Sequence, residues 1–311
     1  MTPGIYKKYF IDDFFNTMFK KSKAYTYKLD EKGVITINYI ERKLGEQYNP
    51  VAIATYALGE YNKYYDTRSA TAKNLFLSHA DWLVENAIPK KDFVVWHYNF
   101  DWISPGYRCK APWISAMAQG LAMSVLIRAW TITGDEKYLS TAKLAFNSFK
   151  ATVEDGGVAR KDKKGYLWYD EYVCEKSANV LNGMMFAVIS LHEYWEVTKD
   201  PEAKELFDEG VRTLEANLKR FRLELGFFRY SRYDDYLLIY SGEKYHKCHL
   251  QQLRYLIQVT DNKTFKKYLA LWEKADRIKG KRLFLFMKLY RIYLRIIQRK
   301  VKKEWERRKN E

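Results

Sequence analysis

The sequence predicts an all-α fold: about four helical hairpins that form an (α/α) toroid, with small β-hairpin insertions and a basic C-terminal helix. Two observations support this fold class. Apolar residues recur at helical spacing along most of the 311-residue chain, and a short turn motif recurs between the segments with that spacing. Repeated hairpins that each bury one face stack either as an open solenoid or as a closed toroid. The long loops between the hairpins favour the toroid, because they meet at one end and can form a cleft.

The turn motif recurs at intervals of about 65 residues. It occurs at Thr133–Tyr138, Thr198–Ala203 and Thr260–Phe265, with a looser copy at Tyr65–Arg68. The Asp in each copy is expected to cap the next helix, and Pro201 suits a first helical position. Segments with helical spacing flank these turns. They are Val51–Tyr64, Thr71–Ala87, Ile114–Ile132, Tyr138–Phe149, Val180–Val197, Ala203–Phe221, Leu250–Val259 and Phe265–Ala275.

Short β-like segments lie between the hairpins. Val34–Asn38 follows a turn-forming stretch, and glycines at 156, 157 and 165 punctuate a predicted hairpin that ends with Tyr166–Tyr169. No domain boundary is visible before about residue 277. We therefore expect one toroid domain over residues 1–277, followed by a basic amphipathic helix over residues 278–311.

The composition is that of a globular chain rich in aromatic residues. Aromatic side chains make up 17% of the residues, with 26 Tyr and 9 Trp, and they either pack the core or line a sugar-binding cleft. The net charge is +16, and residues 273–311 carry most of it, with 15 Lys and Arg against 5 Asp and Glu. The remainder of the chain is less basic but still suits a polyanionic partner.

The three cysteines, Cys109, Cys174 and Cys248, are widely spaced and form no CxxC pair. We expect no disulfide framework and hence a reducing compartment. Neither an apolar secretory segment nor a stretch of about 18 apolar residues is visible. The sequence therefore predicts a cytoplasmic location, with membrane-peripheral attachment as a further hypothesis.

Three segments carry a resemblance to a known family: PWISAMAQG at Pro112–Gly120, WYDEYVCEKSANVLNG at Trp168–Gly183, and YHKCHLQQL at Tyr245–Leu253. In this order they resemble motifs of the C-terminal catalytic domain of the D-glucuronyl C5-epimerase family. The likeness extends over roughly residues 48–272. The resemblance implies an (α/α) toroid, no organic cofactor, and a reversible inversion at C5 that interconverts glucuronate and iduronate residues of a glycan.

The resemblance also implies catalytic residues. Glu171 and Tyr172 stand where the family has its catalytic Glu-Tyr pair, and Tyr245 stands at its second catalytic tyrosine. One departure nearby is Val173, which replaces the family's proline. These residues form the expected proton-transfer set.

A fourth family site, Tyr-x-x-Arg, falls within residues 226–232. Arg232 matches the arginine, whereas Arg229 stands at the tyrosine position. The neighbouring Tyr230 is therefore the expected substitute in catalysis, and Arg232 is expected to bind substrate.

Inversion at C5 needs groups of these types. The reaction removes a proton α to a carboxylate and returns one to the opposite face, so that two acid/base groups must flank one carbon. Donors or cations must hold the charge that develops on the carboxylate. Because a tyrosine has an ordinary pKa of about 10, one phenol must be acidified to act as a base, by Arg232 or by a protonated His246. Glu171 is the alternative base, with Tyr172 as the opposing acid, and the sequence does not choose between them.

Candidate substrate-binding residues come from the same motifs and from the loop that precedes them. Aromatic rings and amides suit sugar stacking and hydroxyl recognition, and Arg108 suits a uronate or sulfate, although each also has a structural alternative. His246 and His249 lie three residues apart, but neither an HExxH motif nor a third ligand accompanies them, so no metal site is expected. The candidates are Trp96, Tyr98, Asp101, Arg108, Trp113, Gln119, Tyr169, Asn182, Arg232, His246 and His249.

Two other functions compete with an epimerase. A uronate-polysaccharide lyase forms the same carbanion but expels the C4 substituent. A non-catalytic glycan-binding or membrane-associated protein would keep the motif residues for stability alone. Detection of an unsaturated uronate would reveal the lyase.

The C-terminal segment carries a basic stripe beside apolar residues, and it suits either a last helix packed on the toroid or a helix on an anionic membrane surface. A nucleic-acid partner is not expected, because no binding motif accompanies the stripe. The expected partners are a glucuronate-containing glycan, an anionic membrane surface and a second copy of the chain in a homodimer. The stripe consists of Lys288, Arg291, Arg295, Arg299 and Lys302.

Overall fold

The computed structural model describes residues 6–12, 14–19, 24–104, 107–221 and 242–277, together with Leu289, Tyr293 and Ile296. A short helix, α1 (Phe14–Phe19), precedes four helical hairpins, and a 3₁₀ turn (Leu218–Phe221) follows the third. The hairpins consist of α2 (Pro50–Thr67) and α3 (Ala70–Glu85), α4 (Ala116–Thr133) and α5 (Glu136–Asn147), α6 (Leu181–Thr198) and α7 (Pro201–Asn217), and α8 (Gly242–Thr260) and α9 (Lys263–Arg277).

The first helix of each hairpin belongs to an inner row. α2 packs against α4, α4 against α6, and α6 against α8, while each second helix packs on the first helix of its own hairpin. α4 and α6 are buried along almost their whole length, which explains why their sequences are apolar on nearly every side. α1 contacts both α2 and α8 and so bridges the two ends of the row. The predicted (α/α) toroid of four hairpins is confirmed.

The same turn joins the two helices of every hairpin. A threonine in the last helical turn donates to the carbonyl oxygen four residues earlier, and its Oγ1 accepts from the backbone N–H two residues later. The residue between has a positive φ, and the next one caps the following helix. The threonines are Thr67, Thr133, Thr198 and Thr260, and the capping residues are Ser69, Asp135, Asp200 and Asn262.

These turns correct two details of the sequence-based prediction. Asp135 and Asp200 cap α5 and α7 as predicted. Asp261, however, has a left-handed φ of 53°, and Asn262 caps α9 in its place. In the first turn, Asp66 lies inside α2 rather than at a cap. Asn caps α9 as well as Asp would because both present a short side-chain acceptor.

Short antiparallel strands occupy the loops between helices. Before α2, β1 (Tyr25–Leu29), β2 (Ile35–Tyr39) and β3 (Gly45–Gln47) form one sheet. The other strands form hairpins: β4 (Ile88–Pro89) with β5 (Val94–Val95), β6 (Trp102–Ser104) with β7 (Tyr107–Cys109), and β8 (Ala159–Lys161) with β9 (Leu167–Tyr169). The predicted β-hairpin insertions are therefore confirmed. The strands β1 and β3 and the hairpins β4–β5 and β6–β7 are additions to the prediction.

The N-terminal segment closes one end of the toroid. Arg128 of α4 and Glu193 of α6 form a fully buried ion pair there, with Nη2 and Oε1 2.6 Å apart. The rings of Tyr6, Tyr9 and Tyr61 lie 5.0, 5.1 and 5.4 Å from the guanidinium carbon. Aromatic faces attract a cation. These rings therefore surround the buried pair and stabilise the charge of the guanidinium.

A disulfide bond joins Cys109 of β7 to Cys174. The expectation that the chain holds no disulfide was wrong, because the two cysteines are 65 residues apart and only the fold brings them together. Cys248 in α8 is buried and free. The bond attaches the β6–β7 hairpin to the segment that follows Tyr172.

Most of the C-terminal segment, including its basic stripe, lies outside the described residues. Within residues 278–311, Leu289, Tyr293 and Ile296 are helical, and about half of each side chain is exposed. Their spacing places them on one face of a helix. The boundary at residue 277 stays a prediction. In the part of the chain that the structure describes, no helix is long and apolar enough to cross a membrane.

Candidate active site

The segment that carries Glu171 and Tyr172 is held by backbone hydrogen bonds on both sides. The Asp170 carbonyl and the Val173 N–H both bond to the backbone of residues 114–116, at 2.9 and 3.1 Å. That backbone leads directly into α4. Glu171 and Tyr172 are therefore fixed relative to the inner row of helices.

Arg160 of β8 ties the two ends of this segment together. Its Nε donates to Asp170 Oδ2 at 2.8 Å, and its Nη2 donates to the Cys174 carbonyl at 2.9 Å. Ser177 donates to the other carboxylate oxygen of Asp170. Burial raises the pKa of the Asp170 carboxyl, although Ser177 and Arg160 oppose the shift. The arginine thus restrains the chain on both sides of the candidate catalytic pair.

Glu171 lies against the first turn of α6 and is 7% exposed. A Cβ added to Gly183 would overlap the Glu171 carboxylate and would lie 2.5 Å from the Glu171 Cβ. Real Cβ atoms do not approach other atoms this closely, so the site needs a residue without a side chain at position 183. The glycine of the VLNG sequence therefore makes room for the carboxylate.

Glu171 and Tyr172 line a cleft of about 320 Å³. Its wall includes the start of each inner helix, with Asn49 and Val51 at α2, Ser115 and Met117 at α4, Asn182 at α6, and Tyr245 at α8. The N-terminal ends of all four inner helices therefore meet at the cleft. Because a helix N-terminus carries a partial positive charge, this end of the toroid favours an anion.

Aromatic rings form one wall of the cleft. Tyr98 and Trp113 stack with their centroids 3.9 Å apart and their planes at 8°, and a bridge joins their backbones. The Trp113 ring lies 5.7 Å from that of Tyr172. Burial raises the pKa of Tyr98 well above its ordinary value, so this phenol stays neutral. The wall offers flat apolar faces next to a candidate proton-transfer group.

Comparison with known proteins identifies the family. Residues 90–274 match the family model for the D-glucuronyl C5-epimerase C-terminus, and the match covers more than half of the chain and all three motifs. The chain belongs to this family.

Individual relatives agree with the family match. An uncharacterised protein of Methanocaldococcus jannaschii is 28% identical over 274 residues, which cover 82% of this chain and 87% of the relative. The D-glucuronyl C5-epimerase of Caenorhabditis elegans is 37% identical over 153 residues, which cover 45% of this chain but only 24% of that enzyme. Membership of the C5-epimerase family makes this chain a carbohydrate-modifying enzyme.

Among solved structures, the cellobiose 2-epimerase of Bacillus thermoamylovorans aligns with a TM-score of 0.56 at 11% identity, covering 86% of this chain and 69% of that enzyme. At this identity the likeness concerns the fold alone. It agrees with the (α/α) toroid described above.

Several residues predicted from the C5-epimerase motifs, and one from the aromatic loop before them, meet at the cleft. They are Glu171, Tyr172, Tyr245, Tyr98, Trp113 and Asn182. Two further candidates, Tyr230 and Arg232, lie outside the described residues.

Three predicted substrate-binding residues lie in the core instead. Gln119 accepts from the Trp96 N–H at 3.2 Å and donates to the Val94 carbonyl and to Ser148 Oγ. The Trp96 indole donates to a backbone carbonyl of α3, and the Tyr169 hydroxyl donates to one of α7 at 3.0 Å. All three are buried. Their polar groups therefore join structural elements, and none of them lines the cleft.

The remaining predicted residues are not part of the cleft wall. Asp101 accepts from the Ala111 N–H at 3.0 Å and pairs with Lys110, and Arg108 is exposed on β7. His246 and His249 are buried in α8, at 2% and 0% exposure. Burial lowers the pKa of His249 to about 3, which keeps its imidazole neutral.

The sequence analysis missed Arg42, which lines the cleft just beyond β2. Its guanidinium carbon lies 3.7 Å from the centroid of the Trp102 ring, and its Nη1 donates to the Ile103 carbonyl at 2.8 Å. No motif marks this residue, because a basic residue after a strand is usual in a solvated turn. Only the three-dimensional placement of the sheet brings Arg42 to the cleft.

Proposed function

We propose that the protein is a uronate C5-epimerase that interconverts D-glucuronate and L-iduronate residues within a glycan. The observation that carries the proposal is that Glu171, Tyr172 and Tyr245, from two separate parts of the chain, line one aromatic-walled cleft. Membership of the C5-epimerase family supports the carbohydrate chemistry, and the similar worm protein is named for this reaction.

The proposed reaction transfers protons at one carbon. One group removes the C5 proton, and a second group on the other face of the sugar ring returns a proton. Tyr245 on α8 and the Glu171–Tyr172 segment after β9 supply these groups from different elements. Either Glu171 is the base and a tyrosine the acid, or Tyr172 and Tyr245 serve both roles.

The cleft also has the groups needed to hold the negative charge that develops on the substrate carboxylate. The N-termini of the four inner helices act on any charge placed there, and preorganised dipoles of this kind stabilise a transition state at no reorganisation cost. We assign the substrate carboxylate to Arg42, whose guanidinium matches a carboxylate in geometry and is already held by Trp102. The buried Oδ1 of Asn182, which has no partner among the described residues, is placed to accept from a sugar hydroxyl.

The test is incubation of the protein with an unsulfated glucuronate polymer in D₂O, followed by NMR of the C5 position. We expect deuterium at C5 together with iduronate signals. At least one of Tyr172→Phe and Tyr245→Phe should lower the exchange rate by about 100-fold or more, because it removes a positioned proton-transfer group. A loss in both variants would favour the two-tyrosine scheme, and a loss in only one would favour Glu171 as the base. Tyr268→Phe, on the second helix of the last hairpin, is the matched control and should leave the rate unchanged.

Other outcomes would reassign the protein. Formation of an unsaturated uronate in place of exchange would make it a lyase. Polymer binding without exchange, for a panel of uronate polymers, would make it a non-catalytic glycan-binding protein. Full exchange in both tyrosine variants would contradict the assigned roles while leaving the reaction itself intact.

A cytoplasmic location is also only a proposal. The disulfide between Cys109 and Cys174 weighs against it, because disulfides persist mainly in oxidising compartments, with hyperthermophile proteins as an exception. Trapping of free thiols in freshly lysed cells measures the redox state of the pair. A fully reduced pair would favour the cytoplasm, and an oxidised pair would favour an oxidising compartment.

A further inference from the structure

The disulfide bond between Cys109 and Cys174 joins two parts of the cleft wall that are distant in the sequence. Cys109 belongs to the β6–β7 hairpin, and Trp102 of this hairpin lines the cleft. Cys174 follows Tyr172, which lines the cleft as well. Within the hairpin, Cys109 is the direct cross-strand partner of Trp102. The bond therefore connects one wall of the cleft to the segment of the candidate catalytic residues.

The hairpin in turn holds the side chain of Arg42. The Trp102 ring lies 3.7 Å from the Arg42 guanidinium carbon, and the Ile103 carbonyl accepts from Nη1 at 2.8 Å. Both contacts come from β6, whereas Arg42 itself lies after β2 and is exposed. The position of the guanidinium at the cleft therefore depends on where β6 lies.

The hairpin has little packing of its own. Each strand has three residues, and an isolated two-stranded hairpin is at best marginally stable in water. The Ile103 side chain is 54% exposed. Hydrogen bonds at Phe100 and Asp101 brace the base of the hairpin but do not hold its strands. The covalent bond at Cys109 therefore contributes much of the order of β6 and β7.

The segment of Glu171 and Tyr172 has other attachments besides the disulfide. The Cys174 carbonyl accepts from Arg160 Nη2 at 2.9 Å, which ties the segment to β8. Backbone hydrogen bonds join the same segment to the chain that leads into α4. Breakage of the disulfide therefore releases the hairpin but leaves the candidate catalytic residues in place.

We infer that the Cys109–Cys174 disulfide positions Arg42 for the substrate carboxylate, and that its reduction lowers the affinity for substrate without slowing proton transfer. This inference rests on the proposed epimerase function and adds redox regulation of the same site. An ordered guanidinium binds a carboxylate more tightly, because the entropy of its side chain is not lost again on binding. In the reduced protein that loss accompanies binding, so KM should rise while kcat stays the same.

A dithiol reductant breaks the bond by thiol–disulfide exchange. Cys174 is partly exposed, whereas Cys109 is 1% exposed, so the thiolate of the reductant attacks the Cys174 sulfur. The Cys109 thiolate leaves and takes up a proton. The second thiol of the reductant then displaces Cys174 from the mixed disulfide. Two electrons and two protons have passed to the protein, and the products are two protein thiols and the disulfide of the reductant.

The experiment compares the oxidised and the dithiothreitol-reduced full-length protein, with an unsulfated glucuronate polymer in the D₂O exchange assay. Reduction should raise KM about tenfold and leave kcat unchanged, because the order of one charged side chain is lost. Reoxidation should restore KM. Cys109→Ala/Cys174→Ala should show the KM of the reduced protein with and without dithiothreitol.

Two variants separate this mechanism from other effects of reduction. Cys248→Ala lacks the buried free thiol and should respond to dithiothreitol as wild type does. Arg42→Gln should have a raised KM that reduction raises no further. An equal rise on reduction in Arg42→Gln, or a fall in kcat in place of the rise in KM, would overturn the inference.

Amide hydrogen exchange of the protein without substrate measures the structural step by itself. Reduction should speed exchange at the amides of β6 and β7 and leave that of residues 170–174 unchanged. Equal loss of protection in both segments, or no change in the hairpin, would also contradict the inference. If no C5 exchange occurs in either redox state, the epimerase proposal fails, and hydrogen exchange still decides whether the disulfide orders the hairpin.

Discussion

Gly183 determines where the Glu171 carboxylate can lie, since a β-carbon at this position would occupy the same space. We expect Gly183→Ala to displace Glu171 and to lower epimerase kcat by about 100-fold, because a misplacement of about 1 Å in a reacting group has an effect of that order. Steady-state kinetics measure the change, and circular dichroism verifies that the variant is folded.

Gly59→Ala provides the control for Gly183→Ala. Gly59 also lies within an inner helix, but an added Cβ there meets no atom within 4 Å. Alanine is the better helix former, so the free energy of unfolding should rise by up to about 1 kcal/mol while kcat stays the same. A folded Gly183→Ala variant with wild-type kcat would contradict the catalytic role of Glu171.

Single residues also show how far the sequence could predict the site. Glu171, Tyr172 and Tyr245 could be predicted because they stand at catalytic positions of motifs that resemble those of the C5-epimerase family. Gln119 belongs to a motif of the same kind, but its side-chain amide forms hydrogen bonds within the core. Nothing in the sequence indicates whether such an amide faces a cleft or bonds to the backbone. Arg42 was missed because it comes from the sheet before α2, outside every motif.

The predicted C-terminal helix of residues 278–311 can be tested independently of the cleft. Leu289, Tyr293 and Ile296 present exposed apolar side chains on one helical face, and the sequence adds a basic stripe. We propose that this helix binds anionic membrane surfaces, where each Lys or Arg contributes about 1 kcal/mol. Deletion of residues 278–311 should lower binding to phosphatidylserine vesicles by more than about tenfold, as measured by co-sedimentation.

Two controls accompany the deletion. Vesicles of neutral lipid should bind wild type as weakly as they bind the deletion variant, because the attraction is to anionic headgroups. Activity on a soluble glycan should be the same in both proteins. Unchanged binding to anionic vesicles after the deletion would refute the membrane proposal.

Elements were predicted well where the apolar pattern was unbroken. Seven of the eight hairpin helices of the described chain both start and end within a few residues of the predicted segments. α8 starts at Gly242, well before the predicted Leu250, because the buried residues of its first half include His246 and His249. Buried polar residues interrupt the hydrophobic periodicity from which helices are recognised.

At the scale of the whole molecule, the Arg128–Glu193 ion pair joins α4 to α6 at the closed end of the toroid. We expect Arg128→Met to lower the free energy of unfolding by about 3–5 kcal/mol, because Glu193 would stay buried without its counter-charge. Urea denaturation measures this loss. The cleft lies at the other ends of these helices, so kcat of the folded variant should be unchanged.

The double variant Arg128→Met/Glu193→Leu tests the cause. When both charges are absent, no unpaired ion stays in the core, and most of the lost stability should return. If the double variant is no more stable than Arg128→Met, packing around the tyrosine rings rather than the unpaired charge accounts for the effect.

The bridge that α1 makes between α2 and α8 has a consequence for protein synthesis. α1 emerges from the ribosome before the four inner helices, and α8 is the last of those four to emerge. Until then α6 lacks its neighbour, and apolar surface that the finished protein buries is open to other chains. The nascent protein therefore exposes this surface until the last of the four hairpins has been translated, and we expect chaperones to bind it during that period.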